Sequence, residues 1–302
     1  MQAITTISFR TFSALLLAGA ALLLGACAST QSVTPTGATA SGPEQTKAVL
    51  WVGNSFFYYN NSMHGHVGQL IQGATTGDKS GHRAVSATIS GSGINWHDLE
   101  SHFKPGGVGS YSFDRNNNVV FNTFTKPGGV GSYSFDRNNN VVFNTFSKPF
   151  DVVLMMDCSQ CPIHPQLQKF FYDYAQKNSE IARKNGARPA FFMSWAYQDK
   201  PEMTEQLAAE YTKAGRLHNA LVVPAGLAFA ASVKARPDLN LYVADKRHPS
   251  LAGTYLAACT VLASLYKTNP EGNSYTAGLD VATAKFLQSV AWTTVQEYNA
   301  KK

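Results

Sequence analysis

Lys47-Ala48-Val49-Leu50-Trp51-Val52-Gly53-Asn54-Ser55-Phe56-Phe57-Tyr58-Tyr59 runs apolar from residue 48 to residue 52 and then breaks off at Gly53-Asn54-Ser55. An unbroken apolar run of this length suits a strand covered on both faces, as in a parallel sheet, and Gly53 permits a sharp turn after it. Residues 62–74 read as a helix, so Ser55 is predicted to stand where a strand hands over to a helix. Ligands of open α/β sheets bind beyond the carboxyl ends of the strands, which makes Ser55 a candidate functional residue.

A serine hydroxyl is a poor nucleophile until a neighbouring base takes its proton. The chain offers such a base far downstream, in Asp245-Lys246-Arg247-His248-Pro249-Ser250, after a short apolar run at 239–244 and before a helix predicted over 251–266. An aspartate three residues before a histidine on one turn can hold the imidazole by Nδ1 and leave Nε2 facing the serine. Pairing of Asp245 with Lys246 or Arg247 on the surface is the competing reading. Ser250 is the predicted N-cap of the following helix, which anchors the loop bearing His248.

These two stretches together resemble the SGNH (GDSL-type) hydrolase superfamily. There the serine lies in a Gly-Asp-Ser or Gly-Asn-Ser block after the first strand, and the base and its partner lie in a DxxH block near the C-terminus. The resemblance covers residues 47–300, including Ser194-Trp195-Ala196 at a strand end. It implies Ser55 as nucleophile, His248 as base and Asp245 as the orienting carboxylate, on a flavodoxin-like doubly wound parallel sheet. It also implies that Ser55 and Gly91, in the Ser90-Gly91-Ser92-Gly93 turn after the second strand, offer backbone N–H groups to an oxyanion. The other reading of those glycines is that they only make a turn.

The resemblance breaks at one place. The family carries an asparagine in a GxND block after the third strand, where its amide donates to the oxyanion. Here residues 151–157 read as that strand and are followed by Cys158-Ser159-Gln160-Cys161-Pro162. Gln160 is the candidate replacement donor, and Cys158, at the nearest matching position, is a weak one. Losing one such donor typically lowers turnover by about 10²–10³, some 3–4 kcal/mol.

The remaining chain supports one large α/β domain over 47–302. Its 302 residues are 44% hydrophobic and 15% charged, enough for a full core without a second domain. Strands predicted over 83–90, 190–195 and 220–223 alternate with helices over 165–184 and 202–217, and a last helix over 281–298 closes the domain. That alternation argues for a parallel, doubly wound sheet. Between 104 and 147 the chain repeats itself, with residues 104–125 and 126–147 differing only at the last position of each copy. Two copies are too few for a solenoid, so the segment reads as an in-frame duplication inserted into the domain. Within each copy Tyr-Ser-Phe, Asp-Arg-Asn-Asn-Asn and Val-Val-Phe-Asn-Thr-Phe read as strand, turn and strand, an inserted β-hairpin.

Residues 1–26 have a polar start with Arg10 and an apolar run from 12 to 24, too short to span a bilayer and suited to an export signal. Leu24-Gly25-Ala26-Cys27 resembles the bacterial lipobox, which implies lipidation of Cys27 and a cell-envelope lipoprotein facing the periplasm or held in the outer membrane. Residues 27–46, rich in Ser, Thr, Ala, Gly and Pro, read as a flexible tether. Net charge is +6, or +5 without the leader, and no basic run of the nucleic-acid-binding kind is present.

Cys158, Cys161 and Cys259 remain, and an odd number of thiols outside the cytosol leaves at least one unpaired. Cys259 falls in an apolar helix and is expected in the core. His64, His66, His82, His102 and His218 are expected to be structural or surface residues, His97 a helix-surface residue or one lining the cleft, and His164 the rival base.

Three function classes follow. The leading one is a serine esterase acting on a small carboxylic ester, with O-acetyl carbohydrates among the candidates, with no metal or organic cofactor implied, and acting as a monomer. Its activity is expected to fall below neutral pH, since a histidine ordinarily titrates at about 6.5. The second is a glycan-binding envelope lipoprotein that keeps the fold without catalysis. The third is a thiol oxidoreductase built on Cys158-x-x-Cys161, a pattern that here lacks a thioredoxin-like tryptophan.

Overall fold

The apolar strands do assemble into one parallel sheet. The computed structural model describes residues 46–77, 79–104 and 150–301, together with four short strands inside the duplicated segment. The expected leader and lipidation site at Cys27, and all of the tether except Thr46, lie outside the described residues.

Five strands, β1 (Ala48–Gly53), β2 (Arg83–Thr88), β7 (Val152–Met155), β8 (Arg188–Phe192) and β9 (Leu221–Val223), pair in the order β2-β1-β7-β8-β9. Every pairing is parallel. This is the flavodoxin-like order, whose reversal point lies between β1 and β7. β1 and β7 are buried at every position, while β2, at the sheet edge, alternates between half-buried and exposed.

Successive side chains of a strand point to opposite faces, and both faces are covered. Phe191 packs against Phe171 of helix α3 (Gln168–Lys184), whereas its neighbour Phe192 packs against Phe57. Helix α2 (Met63–Gly73) packs on α6 (Leu251–Leu265), which also contacts α5 (Ala225–Ala235) and α7 (Val281–Ala300), while α4 (Met203–Leu217) lies with α3 against β8. Ala252 to Leu265 of α6 are buried without exception. Gly186 ends α3 at φ 75°, a left-handed stop that glycine adopts readily.

Two elements depart from the sequence reading. Residues 225–235, given no element there, form α5, which is apolar on most sides and so shows no amphipathic stripe. A four-residue helix, α1 (Ser55–Tyr58), begins at Ser55 itself. Gly53 also has a different task from the one expected. A Cβ there would lie 2.8 Å from the Phe57 ring, so glycine lets α1 fold back onto the strand while Asn54 makes the turn.

In the duplicated segment β3 (Gly109–Phe113) pairs antiparallel with β4 (Val119–Thr123), and β5 (Gly131–Phe135) with β6 (Val141–Thr145). The register repeats with the 22-residue period, Gly109 opposite Thr123 and Gly131 opposite Thr145. Each copy thus forms the antiparallel strand pair expected of it, in the chain between β2 and β7, while the expected turns at 114–118 and 136–140 lie outside the described residues.

Candidate active site

The site begins at Asn54, the N-cap of α1. Its side-chain oxygen accepts from Phe56 N at 3.2 Å, and its Nδ2 donates to Ser92 O at 2.9 Å and Asp157 O at 3.1 Å. One buried amide therefore ties the end of β1 to the turns after β2 and β7. Both far partners are carbonyls, so the position needs a donor, and an aspartate would set a carboxylate against them. That is a physical reason for Gly-Asn-Ser in place of Gly-Asp-Ser in this chain.

Ser55 follows, 7% exposed, with its Oγ 2.7 Å from His248 Nε2. His248 Nδ1 lies 2.5 Å from Asp245 Oδ2, and Asp245 Oδ1 accepts from Arg247 N and His248 N at 2.8 and 2.9 Å. The two motifs, 193 residues apart in sequence, thus meet within hydrogen-bond reach. With Nδ1–H donated to the carboxylate, Nε2 is free to accept from the serine. Burial alone works to raise the Asp245 pKa, but the bonds from His248 and from the two backbone N–H groups outweigh it and hold the carboxyl at about 2. The Arg247 guanidinium bonds the main-chain oxygen of Asp245 and not its carboxylate, so the surface ion pair considered for Asp245 is not made by Arg247. The rival base, His164, accepts from Gln166 N through Nδ1.

The loop bearing His248 is closed at its base by the bridge between Tyr242 and Pro249. Trp195 Nε1 donates to Arg247 O at 2.9 Å, and Gln198 N to Lys246 O at 2.9 Å. Ser250 caps α6 through Gly253 N, as its position after His-Pro predicts. A Cβ on Gly253 would lie 2.3 Å from Leu241 O, so this glycine lets the loop approach the helix.

Aromatic rings frame the imidazole. Tyr59 stacks on it with centroids 4.1 Å apart at 11°, and Phe56 meets it edge-on at 5.3 Å. Phe56 in turn stacks on Trp195 at 4.6 Å, and Trp195 on Phe229 at 4.2 Å. The sequence reading quoted Ser55-Phe56-Phe57-Tyr58-Tyr59 without assigning the rings a place. Their closeness in sequence to the serine was the available signal.

Of the candidate oxyanion donors, Gly91 sits in the exposed turn after β2 at φ 70°, a conformation glycine adopts readily. Gln160, half-buried, precedes the turn Cys161–Ile163. Cys158 and Cys161 form a disulfide, so Cys158 carries no S–H and the weak donation considered for it is lost. Cys259 is buried and reduced, as expected.

His97 requires a correction, because it is not on a helix surface. It is 5% exposed and lies 2.9 Å through Nε2 from Ser92 Oγ, which itself donates to Gly53 O at 3.0 Å. Burial, with His102 nearby, depresses its pKa to about 4, against a weaker opposite pull from the Gly53 backbone. The sequence reading also missed Asp157. This carboxyl, 2% exposed, accepts from Ile94 N and Cys158 N, and burial lifts its pKa to about 6 in spite of those two bonds. Among the described residues no group of three or more His, Cys, Asp or Glu side chains gathers as metal ligands would.

No protein-family model and no curated protein matches the chain. Solved structures do. A DUF4886 family protein from Bacteroides uniformis is 18% identical at a TM-score of 0.53, over 83% of this chain and 95% of that one. The two share a fold. A putative SGNH hydrolase from Slackia heliotrinireducens is 19% identical at a TM-score of 0.47, over 73% of this chain and all of that one. A catalytic mutant of an acetylxylan esterase from Geobacillus stearothermophilus is 13% identical at 0.45, over 73% of this chain and 94% of that one.

Proposed function

We propose that the protein is a serine ester hydrolase in which Ser55, His248 and Asp245 act as a triad. The observation that carries this reading is the chain of contacts from Ser55 Oγ to His248 Nε2 at 2.7 Å and from His248 Nδ1 to Asp245 at 2.5 Å. Ser55 Oγ attacks the ester carbonyl while its proton passes to Nε2, and Asp245 stabilises the imidazolium that forms. The tetrahedral oxyanion faces the backbone N–H groups of Ser55 and Gly91 and the amide of Gln160. Nε2–H then protonates the departing alkoxide, leaving an acyl group on Ser55. A water molecule, deprotonated by His248, attacks that acyl carbon, and the acid leaves as Oγ recovers its proton.

The reading extends to a lipid anchor at Cys27, supported by the apolar run that ends in Leu-Gly-Ala-Cys. Turnover of an aryl acetate by the wild type and by Ser55→Ala tests the chemistry. The expected result is a loss of at least about 10³-fold in the variant. Equal rates, which a glycan-binding protein without catalysis gives, would sink it. Release of acetate from an O-acetylated carbohydrate, compared with aryl acetates and longer aryl esters, then identifies the alcohol partner.

A further inference from the structure

The residues joining α1 to α2 are strained. Asn60, Asn61 and Ser62 follow one another at φ 52°, 69° and 69°, a region that residues other than glycine rarely enter and asparagine tolerates best. Backbone strain of this kind persists only where the surroundings enforce it, and it gathers where chain direction matters to function.

Here the enforcing contacts lead to the base. Asn60 Nδ2 donates to Pro249 O and to Thr254 Oγ1, both at 2.8 Å, and Asn60 O is 2.7 Å from His66 Nε2. Pro249 directly follows His248, and Thr254 is buried on α6. The residue before Asn60 is Tyr59, whose ring lies flat on the His248 imidazole. A single short segment thus carries the nucleophile at one end and, at the other, covers the base and ties down its loop.

We propose that Asn60 and Tyr59 are positioning residues for His248. The left-handed turn acts as a clip that sets the imidazole over Ser55, Asn60 by fixing the loop and Tyr59 by fixing the ring plane. Its effect on turnover rests on the esterase reading, whereas its effect on the loop does not.

Asn60→Gly is the sharpest probe, because glycine keeps the positive φ at no strain and removes only the amide. Hydrogen–deuterium exchange across residues 243–250 is expected to quicken at least tenfold, with β1 and β8 unchanged. On an aryl acetate, kcat is expected to fall about 10- to 100-fold with KM within twofold, since small misplacements of a reacting group cost rates of this order. Tyr59→Ala is expected to lower kcat about tenfold and Tyr59→Phe to restore it, which a hydroxyl-dependent role would not allow. Tyr59 is half-buried, so its variants serve if Asn60→Gly fails to fold. Unchanged exchange at 243–250 in a folded variant overturns the clip. A wild type no faster than Ser55→Ala defeats the esterase reading and leaves the exchange test standing. An active enzyme whose kcat and exchange both survive Asn60→Gly defeats the clip alone.

Discussion

Ser55 stands at the end of a strand buried at every position and is itself 7% exposed, whereas the side chains of His248 and Asp245 are 23% and 42% exposed on a turn. Ser55, the proposed nucleophile, is aimed by the core: Gly53 packs against Phe57, and the Asn54 amide braces three strand ends. His248, the proposed base, is aimed by hydrogen bonds around its loop, three to one carboxylate and a few to loop carbonyls. Substitutions on the base side should therefore change rate and spare the fold, while substitutions behind the nucleophile should change both.

Asp245→Asn tests the base side with the largest expected effect. The asparagine oxygen can still accept from Arg247 N and His248 N, but its amide turns N–H toward Nδ1. That moves the imidazole proton to Nε2, where it can no longer accept from Ser55. The expected loss is about 10³–10⁴ in kcat, with the thermal midpoint changed by a few degrees at most. Loss of cooperative unfolding in this variant would mean that the turn bearing His248 is itself part of the core.

Asn54→Ala tests the other side. It leaves Ser92 O and Asp157 O as buried acceptors without their donor and removes the cap on Phe56 N. At about 1–3 kcal/mol for each of the two orphaned acceptors, urea denaturation should show a loss on the order of 2–6 kcal/mol, with activity falling alongside. Full stability with reduced turnover would place Asn54 with the local devices of the base loop.

The same division explains what the sequence made legible. Strand β1, the Gly-Asn-Ser break, the Asp-x-x-His turn and the Ser250 cap are each written in a few neighbouring residues, so local chemistry predicts them. The role of Asn54 depends on two carbonyls 38 and 103 residues away, and nothing local marks it. Trp96 and His97 reverse the usual expectation, the tryptophan 44% exposed and the histidine 5%. They lie at the end of a 3-10 turn too short to carry a hydrophobic period. Asp157 looked like the end of an apolar strand, and the partner that its carboxyl gains from Ile94 N lies 63 residues away in sequence.

Asp157 and His97 also allow the finest test, since both are buried behind the nucleophile and their titrations oppose each other. Asp157 is raised from 3.8 to about 6, so its contribution to stability is fully present below pH 3.8 and is lost as pH rises through 6. His97 is lowered from 6.5 to about 4, so its contribution is present above pH 6.5 and is lost as pH falls through 4. Each shift spans about two units at roughly 1.4 kcal/mol per unit, on the order of 2–3 kcal/mol, and between pH 4 and 6 the two slopes nearly cancel. On the base side Asp245, held at about 2, contributes its change only below pH 3.8, outside that window. These two buried groups should therefore contribute little net slope from pH 4 to 6, while His64 and His218, both lowered chiefly by burial, favour the folded state as pH rises toward 6.5. Asp157→Asn removes the falling slope, and relative to the wild type its urea-denaturation stability should climb by about 2 kcal/mol from pH 4 to 6. A variant curve parallel to that of the wild type would mean that Asp157 keeps an ordinary pKa, and that the buried side of the site is no less solvated than the exposed one.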